Sequence, residues 1–461
     1  MQRVLTIVVS CFPAMLLAFG PDVHADELQW KVGLASLKIS PDEPVRMAGY
    51  SGRTQPSQGI ALDLFAKAMA IEDDKGNRAV LVTSDLIGFR AEFAEPACRR
   101  ISQETGLRRE QILLNSSHTH TGPTLGLDEA DLSFPPEQAQ ATVRYTRWLQ
   151  DRLVEVVVKS LEQLEPANLS WGTGVATFVM NRREFTDRGV QLGVNPRGLV
   201  DRSVPVLRID APDGTLRGVL FGTACHNTTL TGKDLQISGD FAGYAQARLE
   251  KTHKGAQAMF LQGCAGDANP FPRGSEEIAR IHGQALGEEV LRVLETKLQP
   301  VNGPLRAAMQ QVKLPLSPPP SREQVDLMVR RGGWQGFVGT KMQESLEANR
   351  TLPDTYTAPV AVWQFGEDLT FVALPGEVVV DYVALLETAL GPKRLWIAAY
   401  SNDVFGYLPS AKLIEEGGYE TRGLYAGGIG FFSAKAQGVL VAAVRELAHK
   451  AGRPLATVSE K

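Results

Sequence analysis

The chain has 461 residues, of which 43% are hydrophobic and 22% charged, and its formal net charge at pH 7 is −4. These values are typical of a soluble globular protein with one large α/β domain or two to three ordinary domains. Because lysine and arginine are not in excess, the sequence has neither the basic footprint of a nucleic-acid-binding protein nor a reason to adsorb to anionic membranes.

Residues 1–25 have the pattern of a secretory signal peptide. A short positive segment ends at Arg3, a largely apolar run follows, and Val23-His24-Ala25 fits the small-x-small cleavage pattern. We therefore predict cleavage near Ala25 and a periplasmic or secreted protein. The alternative is a lipoprotein signal with Cys11 as the lipid acceptor, although the apolar core before Cys11 would be very short. No later stretch approaches about 18 unbroken apolar residues, so we predict no transmembrane segment in the mature chain.

Strand-like and helix-like apolar patterns follow one another along the chain. The predicted strands cover approximately residues 32–39, 66–71, 79–83, 112–114, 169–174, 178–184, 206–209, 218–225, 258–262, part of 304–320, 360–365, 369–374 and 395–400. The predicted helices cover approximately residues 91–105, 137–164, a segment opened by Asp240 as N-cap, 276–298, 378–390 and 433–450. This alternation predicts an α/β fold with mixed β-sheets. Since no repeat and no clear linker interrupts it, we predict a single large domain spanning residues 26–461, with residues 321–350 as a charged helical insertion or lid.

One loop holds two of the seven histidines of the chain. The predicted strand at 112–114 runs into Asn115-Ser-Ser-His118-Thr-His120-Thr-Gly-Pro123, where Gly-Pro is a strong turn signal. Imidazole is the commonest metal ligand and the usual acid or base near neutral pH. Either one histidine holds a metal while the other stands just outside, or both bind it; the structural alternative is a pair of hydrogen-bonded histidines at a strand end.

Later strands deliver further polar side chains into glycine-flanked loops. These residues are His226 after 218–225, Asp267 and Asn269 after 258–262, Glu377 after 369–374, and Tyr407 after 395–400. Arg182 belongs to an arginine pair that is predicted to end the strand at 178–184, with a solvated turn as the alternative. Loops on a rigid scaffold are the usual location of chemistry, and two histidines with a carboxylate suit a catalytic zinc ion that keeps one position open. Such an ion would lower the pKa of a water molecule towards about 7 and polarise a carbonyl.

Four cysteines are present, and Cys98, Cys225 and Cys264 would remain after signal cleavage, which is not a disulfide framework for so large a chain. Cys225 and Cys264 lie beside candidate site motifs and could pair after export. We favour the alternative that both are small buried residues.

Taken in order, these motifs resemble the neutral/alkaline (non-lysosomal) ceramidases. The likeness rests on Asn115–Pro123, His226 after an apolar strand, Ile237-Ser-Gly-Asp240 with Gly243-Tyr244, Phe260-Leu-Gln with Gly266-Asp267, Pro375-Gly-Glu377 and Tyr407. The resemblance implies a ceramidase-like catalytic domain with a zinc ion held by four residues: His118, His226, Glu377 and Tyr407. It also implies that His120 and Arg182 contact the substrate or stabilise developing negative charge.

One position departs from the family pattern. Ceramidases continue Gly-Asp with Val-Ser-Pro, and that serine is their proposed nucleophile beside the metal. Here Gly266-Asp267-Ala268-Asn269-Pro270 has Asn269 in the place of the serine. We therefore expect zinc-activated water as the nucleophile, with Asp267 or His120 as the candidate base.

The leading hypothesis is an exported zinc-dependent hydrolase that cleaves an amide (N-acyl) bond of a small molecule, with N-acyl lipids among the candidates. The first alternative is a hydrolase with the same site that acts on an ester or a carbohydrate-derived substrate, because fold does not determine substrate. The second is a non-catalytic binding protein that kept the scaffold and lost the nucleophile.

Overall fold

A computed structural model describes residues 30–424 and 428–454. The predicted signal peptide, its cleavage site and the alternative lipid acceptor Cys11 lie outside these residues. The strands are β1 (Trp30–Lys38), β2 (Gly59–Ile60), β3 (Phe65–Asp73), β4 (Arg78–Ser84), β5 (Ile112–Ser116), β6 (Glu165–Val175), β7 (Val179–Thr186), β8 (Gly189–Asn195), β9 (Ser203–Asp210), β10 (Leu216–Thr223), β11 (Gln236–Ile237), β12 (Gln257–Gln262), β13 (Ala268–Pro270), β14 (Gln299–Pro300), β15 (Leu305–Pro315), β16 (Thr355–Phe365), β17 (Leu369–Ala373), β18 (Glu377–Val378), β19 (Leu395–Ala398) and β20 (Tyr407–Leu408).

The helices of the described residues are α1 (Ala91–Thr105), α2 (Pro136–Glu162), α3 (Asp240–Thr252), α4 (Glu276–Leu294), α5 (Arg322–Arg331), α6 (Gly333–Glu347), α7 (Asp381–Leu390), α8 (Ala411–Glu416) and α9 (Lys435–Lys450). Short 3-10 turns lie at Arg109–Gln111, Glu129–Asp131 and Tyr419–Thr421. None of these helices combines the length and the apolar character that a membrane span requires.

Two large sheets lie face to face between helices. The larger sheet has the order β12-β10-β9-β6-β1-β3-β4-β5, with β14 beside β6, and the second has the order β15-β16-β17-β19. Both are mixed, because β4–β5, β10–β12 and β17–β19 are parallel pairs among antiparallel ones. The predicted α/β fold with mixed sheets is therefore confirmed.

Alternation along β3 explains this layering. Ala68 and Ala70 pack in the hydrophobic cluster that contains the apolar face of α2, whereas Met69 and Ile71 belong to the cluster that contains Trp363 of the second sheet. The opposite face of the second sheet packs against α7 and α9. A strand covered on both faces is apolar almost throughout, which is why β3 and β4 have nearly continuous apolar sequences.

Two buried amide side chains join strand ends that are far apart in the sequence. The Asn115 amide accepts from the Gln262 N–H at 3.0 Å and donates to the Ala399 carbonyl at 2.6 Å. The Gln262 amide donates to the carbonyls of Ser117 at 2.9 Å and Cys225 at 2.8 Å. These bonds bring the ends of β5, β10, β12 and β19 to one place, where the loops with the candidate site residues begin.

Several local predictions require correction. Helix α4 ends at Leu294 rather than 298, because the following residues lead into β14, which pairs with β6. Helix α7 begins at Asp381 rather than 378, because Glu377 and Val378 pair with β20. The segment 321–350 forms two helices, α5 and α6, as the helical prediction requires.

Asp240 and the arginine pair also differ from prediction. The N-cap of α3 is Gly239, and the Asp240 carboxylate accepts from the backbone N–H of Leu230 at 2.9 Å. Asp240 therefore anchors the loop that follows His226. Arg182 and Arg183 lie inside β7 and are buried, so they neither end a strand nor occupy a solvated turn. Cys225 and Cys264 are free and buried, as we favoured.

Candidate metal centre and active site

Three histidines from two strand-end loops converge at one point. His118 follows β5 and His226 follows β10, and the ligand atoms of His118, His120 and His226 all lie within 4.8 Å of one another. The Nε2 atoms of His118 and His120 are 3.1 Å apart. His118 has a φ of +65°, a left-handed conformation that is uncommon for a residue with a side chain and turns the chain sharply after the strand.

Glu377 supplies a carboxylate to the same point. Its Oε2 lies 3.2 Å from Nε2 of His118 and 3.0 Å from Nε2 of His226. All three side chains are buried. Glu377 is placed there by β18, the short strand that follows the Pro375-Gly376 turn.

Backbone carbonyls determine which ring nitrogen faces this point. Nδ1 of His118 lies 2.5 Å from the carbonyl oxygen of Ile87, and Nδ1 of His226 lies 2.6 Å from that of Ala265. Since a carbonyl can only accept, each Nδ1 carries a hydrogen, and in a neutral ring Nε2 keeps its lone pair for a metal. Burial lowers the pKa of His226 to about 4, so this ring is neutral at neutral pH.

The donor set fits a bound cation. The neutral His226 Nε2 and the Glu377 carboxylate oxygen are both acceptors, yet they lie 3.0 Å apart and are buried. Two acceptors at this distance repel each other unless a positive charge lies between them. Imidazole nitrogens with a carboxylate oxygen are the ligands that zinc takes in catalytic sites.

Two tyrosines adjoin the histidines. Tyr407 lies on β20 directly opposite Glu377 of β18, and its ring is stacked beside that of His226 with 6.3 Å between ring centres. The ring centre of Tyr400, a residue that the sequence analysis did not single out, lies 4.5 Å from that of His118. The Tyr400 hydroxyl is buried and has no hydrogen-bond partner among the described residues. An unpaired buried hydroxyl is costly, so Tyr400 is a further candidate to contact a metal or a substrate.

The glycine-rich loop at residues 47–53 holds His120, a role that its sequence did not reveal. The Tyr50 ring lies edge-on to the His120 ring at 5.1 Å, and the Arg53 guanidinium donates to the His120 carbonyl at 3.0 Å. Gly49 has a φ of +92°, and a Cβ there would lie 2.4 Å from Cγ of His120. Only glycine therefore allows the loop to pack against this ring.

Replacing Gly49 by alanine is expected to displace His120. The methyl group would enter the space of the ring, and the positive φ adds about 1–2 kcal/mol of backbone strain. Because misplacing a catalytic group by about 1 Å can cost roughly 100-fold, we expect kcat/KM to fall by about 10- to 100-fold. The matched control is Gly52→Ala in the same loop, where a Cβ has no neighbour within 4 Å. Equal kinetic effects of the two substitutions would contradict this role of Gly49.

Arg182 lies beside Tyr407 in a buried ion-pair network. Its Nε donates to the Glu420 carboxylate at 2.9 Å, and its guanidinium carbon lies 5.3 Å from the centre of the Tyr407 ring and 5.5 Å from that of Tyr419. The other Glu420 oxygen accepts from Arg183 at 2.6 Å. In the sequence Glu420 is one residue of a glycine-rich loop, and no local pattern predicts that it pairs with Arg182 and Arg183.

The Asp267 carboxylate is buried, and both of its oxygens accept hydrogen bonds from residues other than the three histidines. One carboxylate oxygen accepts from the Val380 N–H at 2.8 Å and the other from the Asn181 side-chain amide at 3.2 Å. Burial raises the pKa of Asp267 to about 7. Within the described residues no hydrogen bond joins it to the histidines, so the structure places Asp267 as a brace between β7 and the start of α7.

Comparison with known proteins identifies the family of the chain. Residues 30–306 match the family model described as neutral/alkaline non-lysosomal ceramidase, N-terminal. The chain belongs to this family. The predicted family resemblance is thereby confirmed.

The curated relatives of this ceramidase-family chain include neutral ceramidases from Pseudomonas aeruginosa, Dictyostelium discoideum and Mycobacterium tuberculosis. It is 27% identical over 282 residues to a neutral ceramidase of Pseudomonas aeruginosa, a match that covers 57% of this chain and 40% of that relative. It is 27% identical over 249 residues to neutral ceramidase B of Dictyostelium discoideum, covering 50% and 34% of the two chains. A neutral ceramidase of Mycobacterium tuberculosis is 28% identical over 247 residues, covering 49% and 37%. The matches thus span two fifths or less of these curated relatives.

The fold of this ceramidase-family chain also resembles a solved structure. The crystal structure of neutral ceramidase from Pseudomonas aeruginosa superposes with a TM-score of 0.70, covering 94% of this chain and 76% of that chain at 21% identity. At this identity the likeness establishes the fold and leaves the substrate open.

Proposed function

We propose that this chain is a zinc-dependent hydrolase that cleaves the amide bond of a small N-acyl lipid by adding water to its carbonyl carbon. The observation that carries this proposal is the convergence of two histidine Nε2 atoms on the buried Glu377 carboxylate, at 3.2 and 3.0 Å. Membership of the ceramidase family supports the amide bond as the target. The names of the relatives make ceramide the first substrate to test.

His118, His226, Glu377 and Tyr407 would hold the zinc ion, and Tyr400 is a neighbour that could contact it. When bound, zinc would supply Lewis acidity, which lowers the pKa of water towards about 7 and polarises a carbonyl oxygen. The carbonyl contacts of His118 and His226 fix both rings, so little reorganisation is required for binding.

Other residues of the chain would move the proton and balance the charge. We assign His120 as the base that takes a proton from the attacking water and returns it to the leaving nitrogen, since its Nε2 faces the candidate metal centre, 3.1 Å from Nε2 of His118. Asp267 is the weaker candidate for this step because both of its oxygens are occupied. Arg182 would offset negative charge that develops on the substrate. The products are a carboxylic acid and an amine.

We further propose that the mature chain is exported as residues 26–461, after cleavage near Ala25, and that residues 321–350 act as a lid. Helix α6 contacts the loop that contains Glu420, since the Trp334 indole donates to the Arg422 carbonyl at 2.6 Å. A movement of the helix pair could therefore reach the surroundings of Arg182.

Metal analysis combined with a substrate panel tests the proposed function. We expect about one zinc ion per purified chain and hydrolysis of a ceramide or another N-acyl amide that is lost on chelation and restored by zinc. The control substrate is an ester with the same acyl chain. Protein without any transition metal would contradict the zinc site. Hydrolysis of the ester alone would favour an esterase, and zinc-loaded protein that cleaves neither substrate would favour a binding protein.

A further inference from the structure

Asn269 contacts Arg182, which lies beside the candidate ligand Tyr407, and it occupies the position where the family pattern has a serine. It is the middle residue of β13, which pairs with β7, and it is only partly buried. The preceding residue, Ala268, accepts a hydrogen bond from the His226 backbone N–H at 3.1 Å. Asn269 therefore belongs to the same loop framework that places His226.

Two donors hold the oxygen of the Asn269 amide. Its Oδ1 accepts from Nη1 of Arg182 at 3.3 Å and from the Thr228 hydroxyl at 3.2 Å. A guanidinium has only donors, so it must face the oxygen of the amide and not its NH2 group. The orientation of Asn269 is thus determined by the chemistry of its neighbour.

The guanidinium that faces the Asn269 oxygen is itself held in place. Arg182 is buried, its Nε is paired with Glu420 at 2.9 Å, and its guanidinium lies over the rings of Tyr407 and Tyr419. Turning the Asn269 amide over would set its NH2 group against this immobile cation. The NH2 group consequently points away from Arg182 and Thr228, and Nδ2 makes no hydrogen bond to any described residue.

An amide NH2 held in this way can only donate. Its nitrogen lone pair is delocalised into the carbonyl, so it can act neither as a nucleophile nor as a base. It can stabilise an oxygen that gains negative charge, which is the usual role of side-chain amides in oxyanion holes. Where the family pattern has a serine hydroxyl, this chain therefore has an uncharged hydrogen-bond donor in a fixed orientation.

We propose that Nδ2 of Asn269 donates a hydrogen bond to the substrate carbonyl oxygen as that oxygen becomes an oxyanion. This inference rests on the proposed hydrolysis. The oxygen of water forms a bond to the carbonyl carbon, and the C=O π electrons move onto the oxygen that Asn269 holds. When the carbonyl re-forms, the C–N bond breaks and the nitrogen leaves with the proton delivered by His120. Asn269 is then a catalytic residue, and its presence does not mark a lost activity.

The kinetic test uses Asn269→Asp, which has the same shape. The aspartate keeps an oxygen for Arg182 and Thr228 but presents an acceptor in place of the donor. Because loss of one oxyanion donor costs about 100- to 1,000-fold in kcat, we expect a fall of about 100-fold or more with KM changed less than about threefold. Thr228→Val is the matched control: it removes one of the two anchors and leaves the donor, so its kcat should fall by less than about fivefold. Equal kcat values of Asn269→Asp and the unmodified protein would overturn the proposal.

A binding measurement tests the donor without catalysis. The probe is octylphosphonate monomethyl ester, whose tetrahedral anion resembles the oxyanion, and N-methyloctanamide is its neutral, planar counterpart. On zinc-loaded protein of matched metal content, Asn269→Asp and the uncharged Asn269→Leu should both weaken phosphonate binding by about tenfold or more, while amide binding changes less than about threefold. Unchanged phosphonate affinity in Asn269→Leu would overturn the proposal. If the unmodified chain cleaves no substrate, the proposed function fails on its own, and the phosphonate comparison still decides whether Asn269 is a donor to an anion.

Discussion

Replacing His226 by alanine is expected to abolish zinc binding at the proposed site and to lower kcat/KM by about 1,000-fold or more. A Lewis acid lowers the activation barrier by several kcal/mol, and each 1.36 kcal/mol is about a factor of ten in rate. His226 is the ligand candidate whose ring is held at Nδ1 by Ala265 and faces Glu377 at 3.0 Å. Its loss leaves His118, Glu377 and Tyr407, which is one ligand fewer than the four of the proposed site. Metal content and kcat/KM, measured on the same preparation, check this expectation.

The control for this substitution is His449→Ala, which removes an exposed histidine of α9. It should keep the zinc content and the kcat/KM of the unmodified chain. Circular dichroism must show that the His226→Ala protein is folded, since a buried side chain is removed. A folded His226→Ala protein that still holds about one zinc ion would rule out this residue as a ligand.

Replacing Glu420 by alanine is expected to lower the free energy of unfolding by about 3–5 kcal/mol, because it leaves two buried cations without their shared partner. Glu420 is buried and pairs with Arg182 at 2.9 Å and Arg183 at 2.6 Å. Arg182 would also lose its fixed position beside Tyr407, so activity should fall together with stability. Urea denaturation of the unmodified and substituted proteins measures the difference in stability.

Glu416→Ala is the matched control for Glu420. Glu416 pairs with the same Arg183 at 3.0 Å, but its side chain is 22% exposed. Water can reach the Glu416 carboxylate and weakens its ion pair, so Glu416→Ala should have a smaller effect, about 1 kcal/mol. Equal losses of stability in the two variants would contradict a special role of the buried carboxylate.

The pH dependence of stability follows from the ion pairs of Glu420 with Arg182 and Arg183. Burial disfavours the Glu420 carboxylate, but Arg182 and Arg183 outweigh burial and hold its pKa below the ordinary value of 4.5. A carboxylate whose pKa is lower in the folded chain contributes stability above its unfolded pKa and loses it as the pH falls through the folded pKa. The difference in stability between the unmodified chain and Glu420→Gln should therefore shrink as the pH is lowered below about 4.5.

Local sequence signals placed three candidate ligands at the ends of strands. His118, His226 and Glu377 each follow a buried strand and sit next to glycine or proline turns, and all three meet in the structure. The family resemblance added the expectation that Tyr407 lies with them, and its register with Glu377 places it there. These signals are local because apolar periodicity and turn chemistry are encoded within a few neighbouring residues.

The partners of these residues could not be predicted in the same way. Arg182 and Glu420 are 238 positions apart, and Asn115 and Gln262 are 147 apart. No local pattern specifies such a pair, because each half alone is an ordinary polar residue in a strand or loop. The pairs are selected in the folded chain, where a buried polar group must find a partner.

The sequence by itself determined the alternation of strands and helices, the family, and the positions of the candidate ligands at strand ends. Only the tertiary structure decided that Arg182 is buried against Glu420, that Gly49 packs on His120, and that the Asn269 amide presents a donor. Periodicity depends on neighbours along the chain, whereas the direction of a buried side chain depends on atoms that folding brings together from distant segments.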